Sequence, residues 1–371
     1  VAVKRIRPQA QPPLIWSATS SSLGATPFAR LWGRMSSAPT ADEIWEDARW
    51  LAQAVDPGAG LVRLVEMTPE SYRSASFLDD RMFEQPRTSH LVEWDALASS
   101  IPPNARTDAR WIFHIGHVGS TLISRLLGEL DGMLSVREPR ALRDLTFFPA
   151  DVRARFLPTL QALYSRTFAP QQAALIKATS FVSEIAAELV STREPAIFVY
   201  ATPRNYIAGI LAGENSRKEL VALAEGRAAR LASRGIRLPS ARNEAERAAA
   251  AWACEITALE AAGETAIGPI AWTDFDAMLR DPAKWLASLA GLLRVPASDR
   301  QLAAIASSPL MRRYSKATEY EYSPELRRDI LAEAGDRHRV DIESALAMLG
   351  AASETAPLLE RALWRAARAE S

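Results

Sequence analysis

The sequence predicts an α/β protein: a parallel sheet covered by helices on both faces, with a largely helical C-terminal part. Short apolar runs recur at "RWIFHI" (110–115), "AALIKATS" (173–180), "AIFVYATP" (196–203) and "AIGPIAW" (266–272). Segments with helical periodicity follow them, and strands alternating with helices make a parallel, helix-covered sheet. From "DPAKWLASLAGLL" onward the pattern is almost wholly helical.

Residues 1–44 are expected to form a flexible arm, because "PQAQPP" and "SATSSS" carry little periodicity. Residues 45–106 read as a small subdomain or N-terminal layer, the helical pattern of "IWEDARWLAQAV" giving way to the extended "LVRLVEM". The α/β core is placed at 107–296. Its first strand, "RWIFHI", is apolar and aromatic, as a buried strand is. After it Leu122, Ile123, Leu126, Leu127 and Leu130 form one apolar helical face. The helical "FVSEIAAELV" follows the second run and "RNYIAGILAG" the third, then come long helices near 216–234 and 241–262. Pro269 makes the fourth run an edge or irregular strand. Residues 297–371 are expected to be a helical segment over the ligand site.

Lys+Arg and Asp+Glu both total 44, which argues against broad nucleic-acid or membrane-surface binding but allows a local basic pocket. The one cysteine, Cys254, rules out an intrachain disulfide, and a cytoplasmic location is the simplest expectation. There is neither the apolar core of a signal peptide at the N-terminus nor an apolar run of about eighteen residues. A homo-oligomer stays open.

The chemistry is read from "GHVGST" (116–121), between the first strand and its helix. Ligands in an open parallel sheet sit beyond the carboxyl ends of the strands. Gly116 and Gly119 permit tight turns, while loop N–H groups, the helix dipole and the hydroxyls of Ser120 and Thr121 favour a phosphate. An ordinary turn with Ser120 as N-cap is the plainer alternative. A triphosphate-binding loop needs GxxxxGK before its hydroxyl residue, but Gly119 is followed by Ser120, against a standard ATPase or GTPase. His114 and His117 form HxxH with no evident third ligand, so no metal is expected.

The ordered stretches "HVGSTLISRLL", "REPRALRDL", "ALIKATSF", "FVYATPRNYIAGIL" and "WTDFDAMLRDPAKWLASLAGLL", over about 108–296, resemble sulfotransferases that use 3′-phosphoadenosine 5′-phosphosulfate (PAPS). The resemblance implies a P-loop-like fold and in-line transfer of a sulfuryl group to a small-molecule or peptide acceptor. It implies that Gly116, His117, Val118, Gly119, Ser120 and Thr121 bind the 5′-phosphosulfate. His117 stands where the family has Lys or Arg, and is otherwise a turn residue. Glu138 matches a catalytic base, or else caps a helix beginning near Pro139. Lys177 matches a lysine on the transferring group, or else faces solvent at its strand end. Arg204 matches the 3′-phosphate arginine, with Ala212 where a serine normally follows and Ser216 as a substitute hydroxyl. Arg313, Ser315 and Lys316 match a basic loop over the nucleotide, or else a solvated charge cluster. Adenosine 3′,5′-bisphosphate is then the product and no metal is required. The rivals are a non-catalytic nucleotide-binding or scaffold protein, and a degenerate P-loop kinase with Asp274 for the metal.

Overall fold

The computed structural model describes residues 38–315 and 321–370. The expected arm up to residue 37, and Lys316, lie outside them. The arm's last residues are already ordered: Thr40 caps a helix Ala41–Glu46, its hydroxyl accepting from the Glu43 N–H while the Glu43 carboxylate takes the Thr40 N–H.

The N-terminal layer is an antiparallel sheet of β1 (Trp50–Asp56), β2 (Leu61–Glu66) and β3 (Ser89–Glu93), in that order. Residues 50–56 are thus extended where the sequence suggested helix. Six of the seven are buried, and burial on both faces erases the period-2 alternation that marks a strand.

The main sheet holds β4 (Arg110–His114), β5 (Met133–Arg137), β6 (Ala173–Lys177), β7 (Ala196–Tyr200) and β8 (Ile270–Asp274), in the order β5-β6-β4-β7-β8 with every pair parallel. Every residue of β4 to β7 is buried, so both faces are covered. The sequence showed four of these strands. The fifth, β5, reads "MLSVR", and its polar residues bond locally: Ser135 to Ser124, and Arg137 to the carbonyls of Tyr72, Arg73 and Ala75. Those bonds fasten the helix Pro69–Ser74 over the sheet edge, and the Leu78 N–H adds a bond to the Arg137 carbonyl.

The helix Glu244–Thr265 runs behind the sheet and is buried almost all round. Its alanines let the neighbouring helices Glu214–Ser233, Arg339–Ser353 and Pro357–Glu370 approach closely, and Trp252 donates to the Ala201 carbonyl at 2.9 Å. One continuous apolar core extends from Ile44 to Ala366. No described helix is long and apolar enough to cross a membrane.

Candidate functional site

The strand order places the site. The chain leaves central β4 for β5 at one edge, returns to β6, then crosses to β7 and β8 on the other side, which opens a crevice beyond the carboxyl end of β4. The predicted glycine loop stands there. His114, the last residue of β4, sets its start: Nε2 lies 3.0 Å from the Ala178 carbonyl, and Nδ1 accepts the Gly116 N–H at 3.0 Å. Those partners require the neutral tautomer with its proton on Nε2. Gly116, His117 and Gly119 all take positive φ (80°, 54° and 62°), which turns the backbone into the helix Ser120–Leu127. Gly119 itself is the N-cap and Ser120 the first helical residue, so the Ser120 cap does not form. A Cβ on Gly119 would lie 2.0 Å from the Phe275 ring; only glycine fits.

The loop walls an open cavity. Facing it are Gly209, Ala212, Gly213 and Ser216 on one side and Tyr322, Arg327 and Leu331 on another. Thr121 is 2% exposed, and its hydroxyl has no hydrogen-bond partner among the described residues; the Tyr322 hydroxyl is likewise buried and unpartnered. Burial pushes the Tyr322 hydroxyl above its ordinary value, which leaves it a neutral donor. Both residues belong to the cavity wall, with their hydroxyls drawn back from solvent. The guanidinium at this cavity is Arg327, held by Asp276 at 2.5 Å and lying 4.9 Å over the Phe275 ring. Arg327, Tyr322 and Phe275 escape sequence reading, because only the packing of the helix Pro324–Arg337 on the helix Pro203–Leu211 brings the first two here.

His117 and His114 have different partners: His117 turns to Glu219, 3.4 Å away. Behind Glu219 a chain of ion pairs runs through Arg227, Glu255, Arg230 and Glu184 to Arg234. Ala212 and Ser216, which the resemblance singled out, line the cavity, but Arg204 is not brought into it. Its guanidinium is half-exposed and pairs with Glu343 at 2.9 Å. Of the C-terminal basic stretch, Tyr314 and Ser315 line the cavity, whereas Arg313 is exposed and bridges to Glu321.

Two strands along, at the ends of β5 and β6, Glu138 and Lys177 form an ion pair. Lys177 is fully buried, so it does not face solvent. Glu138 does not cap the helix Arg140–Leu145: its second oxygen lies 3.3 Å from Arg81, its N–H bonds to the Lys177 carbonyl, and φ is 55°. That left-handed conformation costs a non-glycine residue about 1–2 kcal/mol, and just before Pro139 the right-handed helical region is disfavoured too. Arg81 comes from the N-terminal layer, where it stacks 3.3 Å over Phe77 and pairs with Asp79; nothing in "FLDDRMFEQP" marks it. On the other flank Asp274 ends β8 and caps the helix Phe275–Arg280 through one oxygen, the other being buried without a partner among the described residues; burial pushes its carboxyl up to about 6.

No family model matches the chain, and no curated protein matches it. Among solved structures it is similar to a sulfotransferase domain from the curacin biosynthetic pathway, with 14% identity over 59% of this chain and 85% of that one, at a TM-score of 0.35. It is also similar to a sulfotransferase domain from the Synechococcus PCC 7002 olefin synthase, with 15% identity over 59% of this chain and 82% of that one, at a TM-score of 0.33.

Proposed function

We propose that this protein is a PAPS-dependent sulfotransferase whose donor nucleotide lies in the cavity beside the glycine loop. The observation that carries the reading is the buried, unpartnered hydroxyl of Thr121 at a helix start made by three left-handed residues. A phosphate there takes the Thr121 and Ser120 hydroxyls and the loop N–H groups at once. His117 adds an N–H to the charge that develops on the leaving oxygen. Arg204 takes the 3′-phosphate by giving up its exposed pair with Glu343, which is worth at most about 1 kcal/mol.

Glu138 is the proposed base and Lys177 the cation at the transferring group. They end the second and first strands away from the loop, about 10 Å and 5 Å across the sheet, a gap suited to a sulfuryl group and an acceptor oxygen. Glu138 accepts the proton as the acceptor oxygen bonds to sulfur; the bond from sulfur to the nucleotide phosphate breaks, and adenosine 3′,5′-bisphosphate leaves. A sulfuryl group carries less negative charge than a phosphoryl group, so the side chains named suffice without magnesium. One observation favours a second reading, nucleotide binding without turnover: His117 stands where the resemblance has a cation and is engaged by a carboxylate.

Thermal-shift titration with adenosine 3′,5′-bisphosphate, against ATP with magnesium, tests the reading. We expect stabilisation by the bisphosphate, weakened about fivefold in Thr121→Val, the loss of one neutral hydrogen bond, and more in Arg204→Ala, where a charged one goes. A shift with ATP and magnesium alone overturns the reading. Binding without turnover on a broad acceptor panel selects the second.

A further inference from the structure

Away from the nucleotide cavity, a small recess lies between the helix Pro69–Ser74, the last turn of the helix Ser120–Leu127 and strand β5. Three arginines line it: Arg73, exposed at the rim, and the buried Arg125 and Arg137, at 9% and 2% exposure. Neither of the buried two has a carboxylate hydrogen-bonded to it among the described residues. Arg137 donates only to neutral oxygens, the carbonyls of Tyr72, Arg73 and Ala75 and the Ser135 hydroxyl. Arg125 reaches the Ser74 carbonyl at 3.2 Å and the Ser76 hydroxyl at 2.7 Å, while its buried Nε–H has no acceptor among the described residues. Gln172, on the same wall, has a buried amide oxygen with no partner, and an amide flip presents its NH2 to the recess instead.

Carbonyls at a helix end offset part of this charge. Two guanidiniums withdrawn from water into one recess have no ion pair among the described residues and feel only the Glu129 carboxylate, from the rim, whereas buried charges are ordinarily paired. Burial and the neighbouring Arg125 together pull Arg137 down to about 9. The nearest carboxylate is that of Glu129, exposed at the rim.

We propose that this recess is a binding site for a small tetrahedral oxyanion, sulfate or phosphate, gripped by Arg125 with Gln172 beside it. The anion ties residues 72–76 of the N-terminal layer to the core. It is independent of the nucleotide site, which lies at the opposite end of the helix Ser120–Leu127.

The test is thermal unfolding of the full chain in sodium sulfate against sodium chloride at matched ionic strength. We expect a saturable, sulfate-specific rise that Arg125→Met weakens about tenfold or more, as removal of a charged donor should. Thr121→Val keeps the rise, which separates this site from the nucleotide cavity, and the bisphosphate shift survives in Arg125→Met. Should Arg125→Met not fold, Glu129→Gln serves: removing the rim carboxylate should tighten sulfate several-fold. No sulfate-specific rise, a rise lost with Thr121→Val, or one indifferent to both Arg125→Met and Glu129→Gln overturns the proposal.

Discussion

Replacing Gly119 by alanine tests the loop geometry most directly. At φ 62° the added Cβ forces an L-residue into the left-handed region, at about 1–2 kcal/mol. It would also stand 2.0 Å from the Phe275 ring, which is 2% exposed. Overpacking of that kind adds about 1–3 kcal/mol, so Gly119→Ala should cost about 2–5 kcal/mol in equilibrium urea unfolding followed by tryptophan fluorescence. The two components separate in a double-mutant cycle. Phe275→Ala removes the ring and leaves a cavity, at about 3–5 kcal/mol alone. In that background Gly119→Ala should cost only the backbone part, a coupling of about 1–3 kcal/mol. Additivity within about 0.5 kcal/mol would show that the ring does not close on this loop.

Asp274 gives a pH-dependent counterpart. Its carboxyl titrates near 6 in the fold against an ordinary 3.8, so the native state keeps its proton after the unfolded chain has lost it. Stability from this group is full below pH 3.8 and falls as pH rises through about 6, by about 3 kcal/mol. Asp274→Asn retains a cap-forming side chain and should lose that fall; urea midpoints at pH 4 and pH 7 check it, and parallel pH dependence of the two proteins refutes it. At the other flank, Glu138→Ala leaves Lys177 charged in the interior and should cost about 3–5 kcal/mol. Adding Lys177→Met should recover much of that loss, and no recovery in the same urea assay would show that the pair is not what holds the two strand ends.

Much of the fold was legible because periodicity is local. The apolar runs of β4, β6 and β7 stand out against their helices, and the glycine loop announces itself through residues that tolerate positive φ. What escaped was either short or settled by distant partners. β5 is five residues long with Ser135 and Arg137 inside it, and an arginine in a buried strand is intelligible only once residues 72–75 supply three carbonyls. The sequence singles out Lys177 with two alternatives, but not its pairing with Glu138. A lysine at a strand end reads as solvated until Glu138, a residue 39 positions earlier in the chain, is found beside it.

The same distinction explains why Arg327, and not Arg204, stands at the cavity. The resemblance implies that the positions of Arg204 and Ala212 act together. On a helix, however, eight residues advance about 12 Å and leave the two positions about 80° apart around the axis. Ala212 looks into the cavity, and Arg204 looks toward Glu343. The buried guanidinium at the cavity belongs instead to Arg327, delivered by a helix that begins more than 100 residues later and anchored by Asp276, directly after Phe275. Phe275 is also the ring that makes Gly119 obligatory. Loop, ring and guanidinium therefore form one packed unit. A ligand that orders any one of them orders the others, a coupling that no motif of adjacent residues can spell out.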